Sequence, residues 1–89
     1  MIQTYSGKNR HAWFDPDSNR YLTVWESPPI GEIRDVHRDV HHIVLYITNT
    51  DNPTQPWTVY WRKNLGLLTD AQYAQLLTDP LPFFVEAML

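Results

Sequence analysis

The sequence predicts an α+β fold: a small antiparallel β-sheet of three to five strands with one or two short helices at its C-terminal end. Three observations carry this expectation. Runs rich in β-branched and aromatic residues fill positions 20–26, 42–48 and 57–62. The connection between the last two runs, Asn49 to Pro56, is too short for a parallel crossover. A helix-start signal appears only after the last run, so strands and helices are segregated along the chain.

Taken in order, Met1 to Arg10 is polar and reads as loosely ordered, with turn chemistry at Ser6-Gly7-Lys8-Asn9. A hairpin is expected next. Ala12-Trp13-Phe14 enters the turn Asp15-Pro16-Asp17-Ser18-Asn19, and Arg20 to Glu26 returns. Pro16 suits the second position of a type I turn, Asp15 can bond the backbone ahead of it, and Asn19 tolerates a left-handed backbone. The return strand shows Tyr21, Thr23 and Trp25 on one face and Leu22, Val24 and Glu26 on the other. Both faces carry apolar residues, so both should be covered for part of its length.

Ser27-Pro28-Pro29 ends that strand, because neither proline can donate to a ladder. Ile30 to Val40 fits a loop or short helix running into a strand, since Ile33, Val36 and Val40 recur at helical spacing, and an extended reading with Val36 and Val40 on one face and His37, Asp39 and His41 on the other is the alternative. His42 to Thr48 is the clearest strand. Trp57 to Arg62 follows, with Trp57, Val59 and Trp61 on one face and Thr58, Tyr60 and Arg62 on the other. Thr69-Asp70-Ala71-Gln72 is a capping box, and Leu68 and Tyr73 occupy the hydrophobic staple positions, so a helix is expected over about 70–78. Asp79-Pro80 offers a second helix start, with Leu81, Phe84, Val85 and Met88 on one stripe. An edge strand over Phe83 to Met88 is the alternative.

The 89 residues make one domain, 1–89, since a second would lack a core of its own. They also fall short of the large catalytic folds, which need roughly 200 residues or more. The chain has no Cys, which excludes disulfides, thiolate zinc sites and a Cys nucleophile. The N-terminus has no signal-peptide core, and no apolar run approaches the roughly 20 residues of a membrane span. A cytoplasmic location is the expectation.

Chemistry-bearing residues are sparse. His37 and His41 are four apart, as are Asp35 and Asp39, a spacing that shares a face on a helix or a strand. These four are weak candidates for a metal site, because imidazole and carboxylate ligate zinc-like ions. The His-Glu-x-x-His pattern is absent, so a solvated polar face with local His–Asp and Arg–Asp pairs is the more ordinary reading, and a pH-sensitive interface is a minor one. Ser6, Ser18 and Ser27 sit in turn chemistry, none in a nucleophile elbow, and no glycine-rich loop exists to cradle phosphate. No catalytic residue and no cofactor is therefore assigned, and the chain is expected not to be an enzyme.

The net charge of −3 argues against binding nucleic acid through bulk electrostatics. Cations and rings nevertheless interleave at Lys8, Arg10, His11, Trp13, Arg20 and Tyr21, and again at Tyr60, Trp61, Arg62 and Lys63. That pairing would suit a single-strand-binding β domain, with Arg10 and Arg20 at one end of the sheet. The C-terminus holds Leu81, Phe83, Phe84, Val85, Met88 and Leu89, which either complete the core or form a homodimer seam. Asp70, Asp79 and Glu86 would add an acidic rim.

The function that best fits is a non-enzymatic protein-binding module. It would be an inhibitor- or adaptor-type accessory protein, a class in which bacterial and phage chains of this size are common. It would occlude a surface of a larger partner, with acidic charge assisting encounter with a basic, nucleic-acid-handling target. Trp, Tyr and Arg dominate interface hot spots, so Trp13, Tyr60, Arg62 and Phe83 are the candidate contacts.

Overall fold

A computed structural model describes residues 1–26 and 40–85 of the chain. Five strands form: β1 (Ile2–Ser6), β2 (Arg10–Asp15), β3 (Arg20–Glu26), β4 (Val40–Thr48) and β5 (Val59–Thr69). They make one sheet in the order β1-β2-β3-β4-β5, with every neighbouring pair antiparallel. Helix α1 (Asp70–Thr78) and a 3₁₀ turn (Leu81–Phe84) follow the strands. This is a small α+β fold with its helix after its sheet. Among the described residues, no helix is long and apolar enough to cross a membrane.

The β2–β3 turn forms as its chemistry dictates. Asp15 accepts from the Asp17 backbone N–H at 3.2 Å and from Ser18 Oγ at 2.9 Å. Asn19 takes the left-handed conformation at φ 56°, a region that Asn enters more readily than most residues. Register then pairs Trp13 with Leu22 and His11 with Val24.

Two expectations about strands need correction. Residues 1–10 are not loose throughout, because Ile2–Ser6 pairs with β2 as an edge strand. Its side chains are exposed, so no apolar pattern announces it; the neighbour's open ladder supplies the pairing. The last strand starts at Val59 and runs to Thr69, well past Arg62. Two register irregularities against β4 reset its alternation. Gly66, at φ 72°, lies beside one of them, and its N–H is taken by Asn64 Oδ1 at 2.8 Å.

Helix α1 starts at the capping box. Thr69 Oγ1 accepts from the Gln72 N–H at 3.3 Å, and Gln72 Oε1 accepts from the Thr69 N–H at 3.0 Å. Of the expected second helix, Leu81–Phe84 forms a 3₁₀ turn, which the Phe83 N–H closes by donating to the Pro80 carbonyl at 3.0 Å, while Met88 lies outside the described residues. Pro80 and Pro82 have no N–H to donate, which disfavours a regular α-helical ladder there. Residues 27–39 and 86–89, and with them most of the Ile30–Val40 expectation, lie outside the described residues.

The core lies on one face of the sheet. Trp13, Leu22, Val24, Ile43, Leu45 and Ile47 project from β2, β3 and β4, and Leu76 and Phe84 close over them. Trp61, Leu65, Leu68, Tyr73, Leu77 and Phe83 pack around this cluster.

Candidate functional site

The face opposite the helix is built from three rungs that cross the sheet. One runs Arg10, Trp25, Val44, Asn64. The next runs Tyr5, Ala12, Thr23, Tyr46, Arg62, and the third Ile2, Phe14, Tyr21, Thr48, Val59. Small residues occupy the centre: Ala12, Thr23 and Thr48 are fully buried. Rings and guanidinium groups lie around and over them.

Those rings are in mutual contact. Phe14 and Tyr21 have centroids 5.2 Å apart, Tyr46 and Trp57 5.3 Å, and Trp25 and Trp57 6.2 Å. Trp57 comes from the β4–β5 loop, which is tied down by its own polar groups. Its indole N–H donates to the Thr50 carbonyl at 3.0 Å, and Asn49 Oδ1 accepts from the Thr58 N–H at 2.8 Å. The cations stack on the same rings. Arg10 Cζ is 4.1 Å from the Tyr5 centroid and 5.8 Å from that of Trp25, and Arg62 Cζ is 5.8 Å from that of Tyr46. Such contacts hold a cation by the ring quadrupole.

Charge is segregated between the two sides. Among the described residues, Asp15 and Asp17 sit at the β2–β3 turn, Asp51 in the β4–β5 loop, Glu26 on the helix side, and Asp70 and Asp79 at the ends of α1. None occupies a rung of the open face. Arg10 and Arg62 do.

A second polar cluster lies on the helix side. His41 Nε2 is 2.7 Å from Asp70 Oδ1. Its Nδ1 is 3.3 Å from Glu26 Oε1, within ion-pair reach but without hydrogen-bond alignment. The ring stacks on Tyr73 at 4.2 Å and 15°. His11 lies 6.3 Å from the same Tyr73, and its Nδ1 faces Ser6 Oγ at 3.1 Å. Burial lowers the pKa of His11, a shift that the nearby Glu26 carboxylate partly offsets. Ser6 and His11 have nucleophile–base spacing, but acyl transfer also needs an oriented base and oxyanion donors. Ser6 stands on a strand exposed along its whole length. The His41 contacts clamp β3, β4 and the start of α1 together.

The expected contact residues scatter. Trp13 is 6 % exposed and belongs to the core, which corrects its assignment as a surface anchor. Its position pairs with Leu22, and that face is the one the helix covers. Phe83 is half-buried against the same core rather than standing clear. Phe84 is fully buried, while Leu81 and Val85 remain exposed. Tyr60 is 51 % exposed, with Arg20 Cζ 4.6 Å from its ring centroid. Arg62 is exposed at the end of the central rung. Arg10 and Arg20 do not share a sheet end, since Arg20 pairs with Asp15 beside the turn and Arg10 with Trp25 at the other end.

Of the four metal candidates, Asp35, His37 and Asp39 lie outside the described residues, and His41 is held between two carboxylates. Among the described residues, no group of three or more His, Cys, Asp or Glu is arranged to hold a metal ion. Tyr5, Trp25, Tyr46 and Trp57 escaped sequence reasoning as one surface. The alternation of Tyr21, Thr23 and Trp25 marks part of it, but the rungs need the register of all five strands. No protein-family model matches the chain, nor does any curated protein or solved structure.

Proposed function

We propose that this protein is a non-enzymatic binding module and that the open sheet face is the surface it presents to a protein partner. The observation that supports this most is the composition of that face: Tyr5, Arg10, Trp25, Tyr46, Trp57 and Arg62 on a floor of small residues, away from the helix. Tyr and Trp supply large contact area with few rotatable bonds, and Tyr, Trp and Arg are the residues that dominate binding energy at interfaces. Arg62, one of the contacts expected from sequence, is exposed on this face, whereas Tyr60 is exposed beside Arg20 and stands on none of its rungs. The mechanism is occupancy: the module covers a surface of its partner, and the partner's own activity changes as a result.

The test compares capture from the source cell by three forms of the chain. These are the natural sequence, Arg62→Glu with Tyr46→Ala on the open face, and Gln75→Glu on the exposed side of α1. A genuine partner is retained by the first and third, lost by the second, and rebinds as a purified protein with the same pattern. If the open-face variant, folded by circular dichroism, retains that partner unchanged, the assignment of this face is wrong.

A second reading is single-stranded nucleic acid, favoured by the lack of carboxylates on the rungs and by the stacked arginines. Labelled octathymidylate should then raise fluorescence anisotropy on titration, and the signal should fall steeply with salt.

A further inference from the structure

The open face carries a charge with no counter-charge. Arg10 is 8 % exposed, and its Nη1 is buried without a hydrogen-bond partner. Among the described residues, no carboxylate lies within ion-pair reach of it. The faces of Tyr5 and Trp25 attract the cation, but a ring offers no lone pair to a guanidinium N–H. A buried guanidinium nitrogen left without an acceptor costs the fold stability. On the next rung, Thr23 leaves a second orphan, a fully buried hydroxyl with no partner. Two polar groups that can donate, on one face and without acceptors, call for a group that only accepts.

Resting on the open-face reading, we infer that Arg10 is the seat for a carboxylate presented by the protein partner, from an Asp or Glu side chain or a chain terminus. A carboxylate is flat, carries two acceptor oxygens and pairs side-on with a guanidinium. It fits a single seat roofed by a ring better than a phosphodiester backbone does. Such a backbone is followed by a track of exposed cations, whereas this chain has a net charge of −3.

The Tyr5 ring covers the seat, with Arg10 Cζ 4.1 Å from its centroid. Tyr5 is 45 % exposed and stands on the edge strand, at the point where pairing with β2 is irregular. Its ring lies back over Gly7, where any Cβ would come within 2.6 Å of the Tyr5 hydroxyl. Swinging this ring aside breaks no described side-chain hydrogen bond and uncovers the guanidinium. The partner's carboxylate then takes the acceptor role that the ring cannot fill.

The experiment follows the Arg10 Nε–H and Trp25 indole N–H resonances of the full chain during titration with three probes. These are acetyl-Phe-Glu-Phe-amide, its Gln counterpart, and octathymidylate. The expected result is a saturable shift of both resonances with the Glu peptide, weaker by roughly tenfold or more with the Gln peptide. Equal shifts of Trp25 with both peptides and silence at Arg10 would overturn the seat and leave the open face standing as the binding surface. Shifts confined to α1 would overturn both. A response of Arg10 to octathymidylate and not to the Glu peptide would also overturn the seat, in favour of phosphate.

A second measurement needs no ligand. Replacing an unpaired buried cation by an apolar side chain of similar length should leave the thermal midpoint of Arg10→Met unchanged or higher. A clear fall in the midpoint would make Arg10 a structural stack between Tyr5 and Trp25 and overturn its role as a seat.

Discussion

The two faces of the sheet are made by the same alternation and do opposite things. On β3, Leu22 and Val24 project into an aliphatic cluster sealed by Leu76 and Phe84, while Tyr21, Thr23 and Trp25 project into a layer of rings and guanidinium groups. The helix face excludes water completely at most of its core positions. The open face keeps its small residues dry but leaves Tyr5 and Arg62 at the surface. Stability comes mainly from apolar area fully removed from water. A face that half-buries large rings gives up part of that gain and retains the capacity to bury them against something else. The helix side holds the sealed core, and among the described residues the opposite side holds the half-buried rings.

This contrast can be broken or sharpened by mutation. The largest effect is expected at Phe84→Ala, which empties the centre of the helix face and should lower unfolding free energy by about 3–5 kcal/mol. Denaturant titration reads this directly, and a loss below about 1 kcal/mol would mean that α1 and the 3₁₀ turn contribute little to the core. On the open face, Trp57→Ala removes two ring contacts and a hydrogen bond to the Thr50 carbonyl. Its expected loss is smaller, about 1–2 kcal/mol. If Trp57→Ala proved as damaging as Phe84→Ala, the two faces would be equal partners in stability and the contrast would fail.

Thr69→Ala should cost about 1 kcal/mol by removing the cap of α1. Thr69→Ser should restore most of it in the same titration. The smallest expected effect is on the pH dependence of stability. His11 has a lowered pKa in the folded chain, so its ring stays neutral at pH values where the unfolded chain has already taken up a proton. Acidification from neutrality through the free-histidine value of about 6.5 therefore favours unfolding, until the folded ring also protonates. His11→Gln should flatten the fall in thermal midpoint across that range. An unchanged slope would show that His11 does not contribute to it.

Local chemistry made some of this legible from sequence, and distance hid the rest. The Asp15–Asn19 turn and the Thr69–Gln72 box are contained within a few residues, so their donors and acceptors can be read directly. β1 is legible only through its neighbour, since all five of its side chains are exposed. The extension of β5 beyond Arg62 was hidden by the shifts that reset its alternation near Gly66. The candidate site shows the same divide. Alternation separates Trp13 from Phe14, but it does not say which of the two faces the helix will cover. That is decided by where Leu76 and Phe84 land. The clamp on His41 draws on Glu26 and Asp70, both far from it along the chain, and no local motif announces it.

The strand order has a consequence for how the chain is made. Each strand pairs with the one synthesised just before it, so loop closure is inexpensive and pairing can follow the growing chain. The cover for the aliphatic face comes last. Among the described residues, Leu76 and Phe84 are what seals Leu22, Val24, Leu45 and Ile47. A nascent chain that has reached Thr69 already holds the five described strands and still lacks Leu76 and Phe84. Synthesis interrupted there would release a sheet whose exposed surface is its own future core, a form suited to capture by chaperones or to self-association.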